Sequence, residues 1–437
     1  MEAFDGEVRD LLKGNANFRN VWIGETAAHF GAQLTNFLLP LIAVTHLAVD
    51  GTGVGLLSAV QFVPIVVLSL LAGVMVDRHP PRRTLVISCL ARGGALALLG
   101  VFQAAGGLTF TQLVIAAAVI GTATVFYEVA YQSTLPKIVP VGSITTANGL
   151  HQATYSISTL AGPSAAGFLI GRLGLSSALA VTAALFVGAA ISGAFLRGVE
   201  APPQPRESAL RTIRSGLRYT WSLRPIRDLC VQAGLSNLHE QAFLTVFLVF
   251  AVRDLHMSGA TVGVIVGIGS AGALAGSLLA SRLAARSTVG FMLTLGVVLA
   301  AAGLLLVPVV AQIGIYVVVL ASVATVVNGF GVALFNVFAV SLRQAIPQES
   351  QLGAVTASYR LIALGTLPLG ALLGGVLCDL ISPRGAIWAV GLSYLVVSFW
   401  LMFSPLRTAR TLEEAQELGR PAGPREPAPE PSRTSAS

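Results

Sequence analysis

Ser69-Leu70-Leu71-Ala72, near the end of one apolar stretch, returns as Ser277-Leu278-Leu279-Ala280 near the end of another. The correspondence runs outward in both directions at the same offset of 208 residues. Arg19 is repeated by Arg227, Gln33 by Gln241, Val54-Gly55 by Val262-Gly263, and Arg78 by Arg286. Two halves that match this way are copies of one unit, and a self-similar chain is expected to build the same substructure twice.

The unit is apolar. Of 437 residues 54% are hydrophobic and 11% charged, against about 25% charged in an average soluble domain, and the mean hydropathy is +0.78. Stretches of roughly 20 apolar residues, the length a bilayer requires of a helix, recur with short polar breaks. In lipid the backbone must satisfy its own hydrogen bonds, so these stretches are read as helices. The fold class is an all-α polytopic membrane protein of twelve spans: 20–44, 54–76, 84–104, 109–131, 146–170, 176–196, 229–252, 260–281, 288–309, 314–340, 352–378 and 386–404. These divide into a polar amino terminus (1–18), a first six-helix bundle (19–197), a linker (198–225), a second bundle (226–405) and a tail (406–437). The polar start, with Glu2, Asp5, Glu7, Arg9 and Asp10, has no secretory-signal pattern.

Among 27 Lys and Arg, only Arg172, Arg253 and Arg384 fall in odd-numbered connections, and Arg92 and Arg360 fall inside spans. The rest lie in the amino terminus, the even connections and the tail, which places both termini in the cytoplasm. The net charge of +7 is therefore an orientation signal and gives no reason to expect a nucleic-acid partner. Cys89, Cys230 and Cys378 lie in or near apolar spans without CxxC spacing, and the six histidines lack HExxH spacing. No disulfide framework, metal site or cofactor is expected from them. No GxxxxGK[ST] loop is present, so nothing points to ATP as a driving force.

In the linker, Leu210, Ile213, Leu217 and Trp221 recur at helical spacing while Arg211, Arg214 and Arg218 line another face. The pattern predicts an amphipathic helix on the membrane surface that tethers the two halves. The Pro-rich tail lacks the apolar content to fold.

Gly73, Asp77, Arg78, Arg82 and Arg83 lie between spans two and three. Glycine, three residues, aspartate, arginine and further basic residues at this position resemble the signature loop of the major facilitator superfamily. Gly73 would let helices approach closely and the charges would take part in conformational switching. Val125–Ile170, with Gly162-Pro163 and Gly167 in span five, and Tyr359–Leu377 in span eleven resemble the branch containing the enterobactin exporter and multidrug efflux proteins. Pro80 and Ala354 depart from the pattern where relatives commonly have glycine and arginine. The resemblance implies two pseudo-symmetric bundles around a cavity lined by spans one, four, seven and ten.

Ionisable groups inside a membrane are costly, about 2.5–3.5 kcal/mol on insertion scales, and mark candidate sites. Glu25, His29, Gln33 and Asn36 form one stripe on span one. Asn237, Glu240 and Gln241 repeat the idea on span seven, and Thr124, Glu128, Tyr131 and Gln132 lie on span four. Glu128, Glu25 and Glu240 are the candidate proton carriers. Arg92 and Arg360 are expected to pair with a carboxylate, either structurally or as switches. His29, Gln33, Asn36, Tyr127, Tyr131, Tyr155, Asn237, Gln241, Asn328, Phe335 and Asn336 are the candidate cavity residues. The expected activity is proton-driven export of a small amphipathic molecule by a monomer in the cytoplasmic membrane. An uptake symporter of the same fold, or a membrane scaffold without transport, are the alternatives.

Overall fold

The computed structural model describes residues 8–9, 11–198, 209–284, 287–310, 316–348, 351–409 and 414. Among these, the regular structure is helical throughout. Four helices open the chain: α1 (Ala16–Thr45), α2 (Gly51–Arg78), α3 (Pro81–Ala104) and α4 (Phe110–Ile138). α5 (Ile144–Ala194) follows, then the linker helix α6 (Ala209–Ser222). The second half holds α7 (Arg224–Arg253), α8 (Gly259–Ala284), α9 (Val289–Val310), α10 (Val317–Ala345), α11 (Leu352–Gly365), α12 (Leu367–Ile381) and α13 (Pro383–Ser398).

Eleven segments among the described residues are long and apolar enough to cross a membrane. One of them makes two passes. A straight helix of 51 residues would run to about 77 Å, more than twice the ~30 Å hydrocarbon core of a bilayer. Gly174 (φ 77, ψ 169) breaks α5, and its second limb packs back on the first bundle. A Cβ on Gly93 of α3 would lie 3.2 Å from the Ala183 carbonyl oxygen, and one on Gly24 of α1 3.2 Å from Ser192. α11 and α12 are one pass interrupted at Thr366, whose hydroxyl donates to the Gly234 carbonyl at 2.8 Å. Pro368, with no N–H to give, begins the continuation there. The result is twelve spans in two six-helix bundles.

The repeat is visible in the backbone. Ala48 and His256 both turn through the left-handed region at φ 50, and Gly174 and Ser382 do so at φ 77 and 92. Each pair is separated by the sequence offset. All four turns lie on the side away from the chain termini, here called the distal side; the other is the terminal side. Among the described residues short turns join the spans distally, while Arg82, Arg83, Lys137 and Arg343 lie toward the terminal side. The apolar core is continuous between the halves, with Leu38, Leu41 and Ile42 of α1 in the same buried cluster as Phe247 and Phe250 of α7 and Val262 of α8.

The helices overrun the apolar stretches at the terminal side: α4 continues to Ile138 and α8 to Ala284. α6 differs from the expected surface helix, because it docks on the second bundle. A Cβ on Gly216 would lie 2.8 Å from the Ala354 carbonyl oxygen, Thr220 is fully buried, and the Gln348 N–H donates to the Tyr219 hydroxyl at 3.4 Å. A small residue at Ala354 is what admits this contact. Trp221 stays exposed. The side chains of Leu210, Arg211, Ile213 and Arg214, and nearly all of the tail after Ala409, lie outside the described residues.

Candidate functional site

The two bundles meet along two seams in the distal half. In the first, α5 lies on α8: a Cβ on Gly263 would sit 2.4 Å from the Pro163 carbonyl oxygen, and one on Gly167 2.7 Å from the Gly259 carbonyl oxygen. The second seam is its repeat mate, α2 on α12. There a Cβ on Gly55 would sit 2.5 Å from the Ala371 carbonyl oxygen, and one on Gly375 2.3 Å from the Gly51 carbonyl oxygen. Only glycine allows backbones this close. Gly162 belongs to a related contact inside the first bundle, against Gln33 of α1. The Gly162-Pro163 and Gly167 group thus holds α5 to α1 on one side and to α8 on the other.

Two polar contacts close the distal ends, and neither was legible as a site in the sequence. Asp379, at the end of α12, accepts from the Gly51 N–H at 2.9 Å and the Thr52 N–H at 2.7 Å. It thereby caps the amino terminus of α2 from the other bundle. Arg253, at the end of α7, donates to the Ala48 carbonyl at 3.1 Å and also to that of Val49. Both lie at span ends, where charge is cheap and draws no notice; only the structure shows that each crosses between bundles.

Beneath the seams lies a cavity of about 160 Å³ lined by Gln33, Asn36, Gln61 and Gln241 among apolar side chains. Gln33 and Gln241 are repeat mates, so the pseudo-axis passes between them. The Gln61 amide donates to Asn36 at 2.7 Å and Gln33 to Thr159 at 3.3 Å. A second cavity of about 180 Å³, toward the terminal side, is lined by Glu25, His29, Arg92, Glu128, His151 and Arg360, with tyrosines 127, 131 and 155 on its wall. A third, of about 250 Å³, shares Glu128 and Arg360 with it and lies among α2, α4 and α11. None of these three reaches the ~300 Å³ lower bound usual for a drug-sized ligand.

Glu128 and Arg360 meet across the bundles at 3.5 Å, each about half exposed, and Arg360 donates to Gln132 at 3.1 Å. Glu25, 2% exposed, faces two histidines instead of an arginine: His29 Nε2 at 3.2 Å and His151 Nδ1 at 2.6 Å. His151 was not among the sequence candidates. It lies 126 residues from Glu25 in sequence, and no spacing rule joins them.

Arg92 departs from expectation. Fully buried, it has no carboxylate at ion-pair distance among the described residues. Its guanidinium lies over the rings of Tyr127 at 4.4 Å and Phe186 at 4.5 Å, and donates to the Ser88 carbonyl and Cys89 sulfur. Two aromatic faces supply the negative potential that a carboxylate would otherwise provide. Tyr127 is accordingly a packing partner of Arg92, while Tyr155 is half exposed and meets His29 edge-on at 5.5 Å.

In the second bundle Glu240 accepts from Asn328 at 2.8 Å. Asn237 donates to the Ala363 carbonyl of α11 at 2.7 Å. Phe335 is 3% exposed and lies against α9, where a Cβ on Gly296 would lie 2.7 Å from its backbone nitrogen. Asn336 is exposed. Gly73 makes no close helix approach here, since nothing lies within 4 Å of a Cβ placed on it. Arg82 and Arg83 are exposed, and the side chains of Asp77 and Arg78 lie outside the described residues.

Two six-helix bundles related by a sequence repeat, with polar cavities between them, define a transporter of the major facilitator superfamily. Within it, the chain belongs to the transmembrane secretion effector family, whose model matches residues 13–424. It is 28% identical to the MFS-type transporter y4rN of Sinorhizobium fredii, over 74% of this chain and 79% of that protein. It is 25% identical to the multidrug efflux pump Tap of Mycolicibacterium fortuitum, over 86% of this chain and 92% of that protein. The nucleoside transporter NupG shares the fold at a TM-score of 0.68 and 14% identity, over 88% of this chain and 98% of that one.

Proposed function

We propose that the chain is a monomeric proton-driven exporter of a small amphipathic molecule, set in the cytoplasmic membrane with both termini in the cytoplasm. The observation that carries this reading is the Glu128–Arg360 pair. Its members belong to different bundles, so the pair exists in one arrangement of the bundles and not in the other. A proton on Glu128 removes the charge that Arg360 meets, and protonation is thereby linked to bundle movement. Glu128 also lines both terminal-side cavities, where a cationic or amphipathic substrate would compete with the proton. Glu25 faces histidines and Glu240 faces Asn328, each partner within its own bundle. Among the described residues, neither carboxylate has a partner in the other bundle.

The outward direction is supported by the likeness to a protein named as a multidrug efflux pump and by the glycine-proline group in α5. The polar cavity at Gln33, Asn36 and Gln241 offers hydrogen bonds at the pseudo-axis, and Tyr131 and Tyr155 offer faces for a flat substrate. The test is efflux of a panel of lipophilic dyes and antibiotics from energised cells, with and without an uncoupler. Export abolished by the uncoupler is the expected result. Accumulation by expressing cells would mean uptake, and no flux of any compound by folded protein would mean a scaffold.

A further inference from the structure

Three lone-pair atoms converge on one point of the first bundle. One ligand atom each from Glu25, His29 and His151 lies within 4.8 Å of the others. Glu25 and His29 are four residues apart and so share a face of α1, and His151 enters from α5. Glu25 Oε2, His29 Nε2 and His151 Nδ1 are all shielded from solvent, and none makes a well-directed hydrogen bond. His29 Nε2 at 3.2 Å and His151 Nδ1 at 2.6 Å both approach the other carboxylate oxygen, Glu25 Oε1.

We infer that Glu25, His29 and His151 bind one divalent transition-metal ion of the zinc type, with an open fourth position facing the cavity. Two imidazole nitrogens and one carboxylate oxygen are a donor set for such ions, whereas calcium and magnesium require more oxygen ligands. Tetrahedral ligands at zinc distances lie roughly 3.3 Å apart, so the Glu25–His29 separation of 3.2 Å already fits and the Glu25–His151 separation of 2.6 Å must widen. It has room, because the His151 side chain is 30% exposed.

The charged groups on the cavity are Arg92, Glu128 and Arg360, with tyrosines 127, 131 and 155 beside them. Glu25 supplies one negative charge directly to the ion, while Glu128 is already paired with Arg360. Arg92 opposes the ion, but is held against the rings of Tyr127 and Phe186 and bonded to Ser88 and Cys89. Arg360 is occupied by Glu128 and Gln132. Tyr131 stacks on the His151 ring at 5.1 Å and fixes its orientation, the role outer residues play around metal ligands. All three ligands sit in one bundle, so the ion does not bridge the moving halves.

The experiment uses the full chain, purified in detergent, freed of any affinity tag and treated with chelator. Zinc is titrated in competition with a chromophoric chelator, and cobalt is added separately for its visible spectrum. One equivalent of zinc per chain is expected. His151→Ala and His29→Ala should each weaken it about tenfold or more, as loss of a ligand does, and remove the intense bands of low-coordinate cobalt. His46→Ala and His256→Ala, in the distal turns, should leave both readouts unchanged. Thermal unfolding of each metal-free variant checks its fold. If His29→Ala does not fold, the partly exposed His151→Ala decides alone. Binding of less than one equivalent by the parent, or undiminished binding by the folded variants, overturns the assignment.

Discussion

The distal seams and the polar interior obey opposite rules. Across the repeat, Gly51 is matched by Gly259, Gly55 by Gly263 and Gly167 by Gly375. Where the bundles touch, both copies keep the same small residues. Gln33 and Gln241 repeat in the interior, but its ionisable groups do not: Glu25 is matched by Ala233, His29 by Asn237, Arg92 by Ala300, Glu128 by Asn336 and His151 by Tyr359. Residues kept in both copies build the contact between the bundles. Residues held by one copy alone supply charge, and a transport cycle needs only one set of those.

The largest effect should follow from crowding a seam. Gly263→Leu and its mate Gly55→Leu each drive a side chain into a backbone carbonyl. Overpacking of this kind costs about 1–3 kcal/mol, charged here to the distally closed state. Labelling of a cysteine placed at Ser258 by a membrane-impermeant reagent should rise about fivefold or more in both variants. A change in only one would break the equivalence of the seams.

A smaller effect is expected at the cap that crosses between bundles. Asp379→Ala removes the acceptor for two N–H groups of α2, and lost caps cost about 0.5–2 kcal/mol. The same labelling should rise, by less than in the seam variants. No change would show that the cap is incidental to closure.

Smallest of all is the stability effect of Arg360→Gln. A half-exposed ion pair contributes about 1 kcal/mol or less, so the unfolding midpoint in detergent should move by no more than about 2 °C. A drop of many degrees would make the pair a structural element and remove its claim to be a switch.

These contrasts also show what the sequence made legible. Segment length and hydropathy gave the spans, and the repeat gave the two bundles, because burial in lipid imposes both locally. Gly162 and Gly167 were visible as a motif; their partners Gly263 and Gly259 were not, since close approach is a property of two helices. Glu25 and His29 were placed together by helical spacing, and His151 joined them only through the fold. Arg92 was assigned a carboxylate because charge pairing is the usual solution, and aromatic faces at Tyr127 and Phe186 replaced it. The contact of Phe335 with α9 was not visible, because periodicity cannot say which neighbour covers a helix face.

Proton coupling through an unrepeated carboxylate is most directly tested in everted membrane vesicles holding an acid interior, with a dye reporting the pH gradient. Adding a transported compound should partly collapse the gradient in vesicles containing the parent protein or Asn336→Ala, the variant at the repeat mate. In vesicles containing Glu128→Gln at equal abundance the gradient should hold. A Glu128→Gln protein that still releases protons as the parent does would contradict the account.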